Sequence, residues 1–155
     1  MVKHPRCSVI LIAACGLVLA QDKPNFSGEW KMNPEKSDYG MVPKPEKMTR
    51  KIAHNEPNLL IATTQSGPRG ESASELKLVI DGKEQSNKLG AAEVKSTPRW
   101  EGSILRIDTK RPFQDGELLM QEKWTLSEDR KTLTIATHIV APMGETNITV
   151  ALDKQ

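Results

Sequence analysis

The chain has 155 residues, enough for one domain, with 22 basic and 20 acidic side chains and 37% hydrophobic residues. Charge this evenly matched argues against nucleic-acid binding and adsorption to anionic membranes, both of which depend on clustered basic surface.

Residues 1–20 read as a secretory leader. Lys3, His4 and Arg6 precede an apolar run from Ser8 to Leu19, and Val18-Leu19-Ala20 supplies a small residue at a cut before Gln21-Asp22-Lys23. The run is shorter than the roughly 20 residues a bilayer core requires. The expectation is an exported protein, periplasmic or secreted, cleaved after Ala20 and without an integral membrane segment in its mature domain, 21–155. An alternative is a lipid anchor on Cys15, because Ile12-Ala13-Ala14-Cys15 resembles a bacterial lipobox; Gly16 to Ala20 would then persist as an apolar stub. Without the leader, 135 residues remain, carrying 20 basic and 20 acidic groups. Cys7 and Cys15 both fall in the leader, so the mature domain is expected to stand by burial and hydrogen bonding, without disulfides or cysteine-bound metal.

Beyond the leader, short alternating stretches are separated by Gly, Pro, Asn and Asp, the punctuation of consecutive antiparallel strands. Strands are predicted at Gly28 to Met32, Lys47 to His54, Asn58 to Gln65, Ser72 to Ile80, Glu84 to Leu89, Ala92 to Trp100, Ile104 to Lys110, Glu117 to Ser127, Thr132 to Val140 and Glu145 to Leu152. Asn33 to Pro45, with its prolines and Gly40, predicts a loop lying across one barrel end, with one helical turn near Glu35 to Asp38. Asp81-Gly82 and Asp115-Gly116 predict tight turns in which Gly takes the positive φ. Pro98 falls inside a predicted strand, which implies an edge position, a bulge or a break.

In Ser74-Leu76-Leu78-Ile80, Leu118-Met120-Trp124-Leu126 and Leu133-Ile135-Thr137-Ile139 one face is apolar and the other mostly polar. Ten such strands can stack as a sandwich or curl into a barrel. The short connections favour an all-β, antiparallel up-and-down meander closed into a barrel of about 8–10 strands. Closure also removes exposed strand edges.

Asn25-Phe26-Ser27-Gly28-Glu29-Trp30 resembles the Gly-x-Trp opening of the lipocalins and, more loosely, of the fatty-acid-binding proteins (the calycin barrels). The strand succession from Gly28 to Leu152 resembles that of the fatty-acid-binding proteins. The resemblance implies that Phe26, Gly28 and Trp30 are structural residues closing the barrel floor. The Asn-Phe-Ser-Gly-x-Trp-Lys stretch is also similar to lipocalin-like proteins exported by some soil bacteria, which implies a fold and an export route. Three features depart from these families. Lys31 follows Trp30, no Thr-Asp-Tyr segment appears, and Glu145 to Leu152 holds neither an Arg to stack on the Trp nor an Arg-x-Tyr pair to hold a carboxylate.

Nucleophile-elbow, zincin, P-loop and dinucleotide-binding patterns are all missing from the sequence, so neither an enzyme nor a cofactor is expected. His54 and His138 are far apart and lack acidic neighbours at ligand spacing, so no metal site is expected. Alternation places Arg50 between Met48 and Ile52, and Glu122 between Met120 and Trp124, on apolar faces; Arg106 shares a face with Ile104 and Asp108. Inward charge is costly unless paired or solvated, so these groups either orient a polar ligand head or sit at open barrel ends. The expectation is a monomeric, non-catalytic barrel that holds a small apolar or amphipathic molecule, with Arg50, Arg106, Glu122 and Trp124 as ligand contacts. The alternative is a filled barrel acting through its surface, in envelope assembly or as an inhibitor.

Overall fold

The computed structural model describes residues 22–155; the leader, both cysteines and the cut after Ala20 lie outside the described residues. Among the described residues there are ten strands and no helix: β1 (Gly28–Met32), β2 (Lys47–Asn55), β3 (Asn58–Gly67), β4 (Gly70–Val79), β5 (Gln85–Leu89), β6 (Ala92–Glu101), β7 (Ile104–Phe113), β8 (Gly116–Leu126), β9 (Thr132–Ala141) and β10 (Gly144–Lys154). All neighbours are antiparallel, in the order β4-β3-β2-β1-β10-β9-β8-β7-β6-β5. The meander thus curls until β1 meets β10, with Trp30 opposite Lys154 and Met32 opposite Leu152. The barrel is nearly closed, and the remaining seam lies between β4 and β5.

Side chains rather than a backbone ladder bridge that seam. The Val79 N–H donates to Gln85 Oε1 at 2.7 Å, Gln85 Nε2 donates back to the Val79 carbonyl, and the Lys77 N–H donates to Asn87 Oδ1 at 3.3 Å. Two amide side chains stand in for a missing strand-to-strand ladder.

Prolines occur in the strands only where a strand has one partner. β5 pairs with β6 as far as Ser96, so Pro98 faces β7 alone, opposite Ile107. This is the edge position its missing N–H demands. β7 also continues three residues past Lys110 and carries Pro112 opposite Glu117, where β8 is its single neighbour.

The connection from β1 to β2 has no helical turn. The Asn33 side chain accepts the backbone N–H groups of Glu35 and Lys36, and Asp38 forms an isolated bridge with Thr149 of β10. These bonds satisfy the backbone locally and tie it to the barrel, leaving no run of residues to wind. The loop then turns inward at Tyr39, which is buried, and reaches β3 where the Glu46 N–H meets the Ser66 carbonyl.

One turn differs from its sequence reading. Between β7 and β8 the positive φ belongs to Gln114 (51°), not to Gly116. Gly116 is instead a close-approach residue, since a Cβ there would stand 2.8 Å from Pro142 Cγ.

Candidate functional site

Alternation sorts the inward positions of the barrel into a fully enclosed floor and an upper half in which buried residues such as Met48 and Leu118 alternate with half-buried ones such as Arg50, Glu122 and Met120. The floor holds Phe26, Trp30, Leu105, Trp124, Leu133 and Leu152, all fully enclosed. Phe26 packs edge-on to Trp124 (5.6 Å between centroids) and stacks with His54 (5.7 Å) and Trp100 (6.0 Å). The Trp30 indole N–H donates to the Phe26 carbonyl at 2.8 Å, and the Phe26 N–H donates to His54 Nδ1 at 3.2 Å. Gly28, at φ 142°, lets the chain cross this floor, and a Cβ there would meet Lys154 Cε at 3.0 Å.

The aromatic cation partner that the last strand lacked in sequence is present in a different form. β10 runs two residues past Leu152, and Lys154 Nζ lies 5.5 Å from the Trp30 ring centroid. Each tryptophan carries such a cation, Lys23 over Trp100 at 5.6 Å and Arg50 over Trp124 at 5.6 Å.

His54 is buried and does have an acidic neighbour. Its Nε2 lies 2.9 Å from Glu56 Oε1, which also accepts the Trp100 indole N–H at 2.8 Å. Glu56 lies two residues after His54, the spacing that puts side chains on one face of an extended chain, and at the turn into β3 it closes beside the ring. Because Nδ1 accepts the Phe26 N–H, the neutral ring carries its proton on Nε2 and donates it to Glu56. Both nitrogens are engaged in fastening the floor. His138 lies on the outer face, bonded to Asn147 at 2.9 Å and paired with Glu145 at 3.5 Å. Among the described residues no group of three or more His, Cys, Asp or Glu could hold a metal ion.

Above the floor the inward residues change character. On β2 the inward order from the floor is His54, Ile52, Arg50, Met48; on β8 it is Trp124, Glu122, Met120, Leu118. Arg50 and Glu122 are half-buried, and Arg50 Nε is buried with no hydrogen-bond partner among the described residues. Glu122 Oε2 accepts the Trp124 indole N–H at 2.8 Å. The structure therefore brings Arg50, Glu122 and Trp124 together around one ring. Trp124 itself is fully enclosed, so it acts by positioning the two charges.

Arg106 does not join them. Leu105, Ile107 and Thr109 point inward on β7, which puts Arg106 on the outer face, where its Nε donates to Glu101 Oε2 at 2.6 Å. Ile104 and Leu105 are both apolar, so alternation near the turn fits either face; the pairing of Leu105 with Trp124 decides it.

Three groups in this half escaped the sequence reading. Tyr39 comes from the loop, where no period marks it; its hydroxyl donates to Met32 Sδ at 3.3 Å. Burial pushes the Tyr39 phenol pKa up, and the Arg50 charge opposes that shift. Thr63 pairs with Arg50 across β2 and β3. Arg111 continues the inward series of β7 and also has a buried Nε without a partner among the described residues; ending the strand at Lys110 had hidden it. A groove of about 490 Å³ crosses the ends of β2, β3 and β4; inward Met48, Gln65 and Ser72 line it together with outward neighbours such as Lys47, Thr64 and Glu71, and neither Arg50 nor Glu122 is among its lining residues.

No family model matches the sequence, and neither does any curated protein. Solved structures do match. A secretory abundant heat soluble protein of Ramazzottius varieornatus superposes with a TM-score of 0.62 at 12% identity, over 88% of this chain and 99% of that one. The zebrafish ileal bile acid-binding protein complexed with cholic acid gives 0.58 at 19% identity, over 84% and 98%. Secretory abundant heat soluble protein 4 of R. varieornatus gives 0.53 at 14%, over 84% and 94%. The fold is a calycin-like β-barrel.

Proposed function

We propose that the protein is a non-catalytic carrier that holds a small amphipathic molecule in the upper half of its barrel. The observation that carries this reading is the pair of inward charges, Arg50 and Glu122, standing above an enclosed apolar floor, with half-buried Met120 and Ile139 one inward step beyond Glu122 and its β9 neighbour. A barrel filled by its own side chains has no use for charge at such positions, because inward charge weakens packing unless something polar meets it. Small barrels can enclose one ligand, and the zebrafish neighbour is a bile acid-binding protein, which supports the class of ligand through the fold. Arg50 and Glu122 would meet the polar head, held in place by Trp124, while Met48, Met120 and Ile139 line the path of the tail. The proposal includes export, on the strength of residues 1–20, and N-terminal sequencing of the protein recovered outside the cytoplasm tests that part.

Titration with 8-anilinonaphthalene-1-sulfonate tests the carrier reading. The expected result is a saturable fluorescence rise with one site per chain, reversed by a single-tail amphiphile. A rise that never saturates, or none, would overturn it.

A further inference from the structure

Arg50 and Glu122 carry opposite charges, face the same interior and are not paired with each other. Arg50 Cζ lies 5.6 Å from the Trp124 ring centroid, while Glu122 is fixed at the edge of the same ring by its bond to the indole N–H at 2.8 Å. None of the ion pairs among the described residues contains either group. Trp124 thus separates a cation over its face from an anion at its edge. Arg111, the other inward cation, extends from β7 two inward positions beyond Ile107, the residue opposite Glu122, and forms no ion pair there. Arg50 has Thr63 and the floor residue Trp30 as cross-strand partners, and Tyr39 in the same half has a hydroxyl that donates to a thioether, a weak acceptor that a ligand oxygen would displace.

A purely anionic head would satisfy Arg50 and be repelled by Glu122. A purely cationic head would meet the reverse. A head carrying both signs answers both groups and gives the Arg50 Nε a partner, while Arg111 stays farther along the barrel, away from this pair. We infer that the site takes a zwitterionic head group on a single apolar tail, with the ligand's anion against Arg50 and its cation against Glu122. This rests on the carrier reading and narrows it to one ligand chemistry.

The test uses three amphiphiles with the same dodecyl chain, each kept below its micelle concentration and titrated calorimetrically into the full-length protein: dodecanoate, dodecyltrimethylammonium and N-dodecyl-N,N-dimethylglycine. The betaine should bind about tenfold or more tighter than either singly charged compound, the factor that ~1.4 kcal/mol confers. Arg50→Gln should move the preference to dodecyltrimethylammonium, and Glu122→Gln should move it to dodecanoate. Either variant decides the matter alone if the other does not fold. An unchanged ranking in the variants, or a parent that ranks the betaine no higher than the others, overturns the zwitterion assignment and leaves the carrier reading standing. If none of the three binds saturably to the folded parent, both fall together.

Discussion

At the floor of the barrel, Trp30, Trp124, Leu105 and Leu133 fill their inward positions completely, whereas Arg50, paired with Trp30 across β1 and β2, and Glu122 and Met120, one and two inward steps along β8 from Trp124, stay partly open. The backbone pattern is identical in the two regions. What differs is the volume and charge projected inward: aromatic bulk closes the floor, and long polar or flexible side chains leave the upper half adaptable. Alternation therefore determines which way a side chain faces, and residue type determines whether that face becomes core or cavity. The floor should govern stability and the upper half should not.

The largest test of that division is Trp30→Ala. Truncating a fully buried aromatic should cost about 3–5 kcal/mol in chemical denaturation; a loss under about 1 kcal/mol would mean that Trp30 is not the floor plug. His54→Ala comes next. It removes the acceptor of the Phe26 N–H and leaves that buried donor orphaned, at a cost of about 1–3 kcal/mol. Gln85→Ala should matter locally more than globally. With both Gln85 bonds to Val79 gone, the Val79 amide should exchange with solvent markedly faster, while denaturation shifts by roughly 0.5–1.5 kcal/mol. In the upper half, Arg50→Met should leave stability within about 1 kcal/mol of the parent or raise it, because an apolar side chain replaces an unpaired inward charge. A loss comparable to that of Trp30→Ala would erase the distinction between the two regions.

Two pH effects complete the series. The Tyr39 phenol is raised in the folded state by burial, so above about pH 10 the unfolded chain gives up this proton first and stability falls as pH rises. Asp153 is lowered by the hydrogen bond from Asn33, so its contribution is present above the ordinary carboxylate range and is lost as pH falls below about 4. Tyr39→Phe and Asp153→Asn should each flatten the corresponding limb of a stability-against-pH curve, and an unaltered limb would assign the titration to another group.

Much of this architecture was legible in the sequence because each strand states its own period and its turns are punctuated. Gly28 to Met32 matches its strand at both ends, and the starts at Lys47, Asn58, Ala92, Ile104 and Thr132 coincide. The Phe26-Gly28-Trp30 motif marked the floor. Arg50 and Glu122 stood out as charges on apolar faces. Arg106 misled because Ile104 lends an apolar neighbour to the outer face beside the turn. Tyr39 could not be read, since it reaches its partners from a loop, where contact depends on tertiary path rather than local period; Glu56 stands at the same-face spacing from His54 and was overlooked. The Gln85 bridge was hidden for a similar reason: a side chain that replaces a backbone ladder leaves no periodic trace.

The central claim is that a ligand enters the upper half of the barrel, and methionine methyl resonances test it most directly. Met48 and Met120 face the interior, whereas Met41 and Met143 are 90% and 75% exposed outside it. With ¹³C-methyl-methionine protein titrated with N-dodecyl-N,N-dimethylglycine, the account predicts saturable shifts at Met48 and Met120 while Met41 and Met143 stay in place. Shifts confined to Met41 and Met143, or no saturable shift at Met48 and Met120, would contradict it.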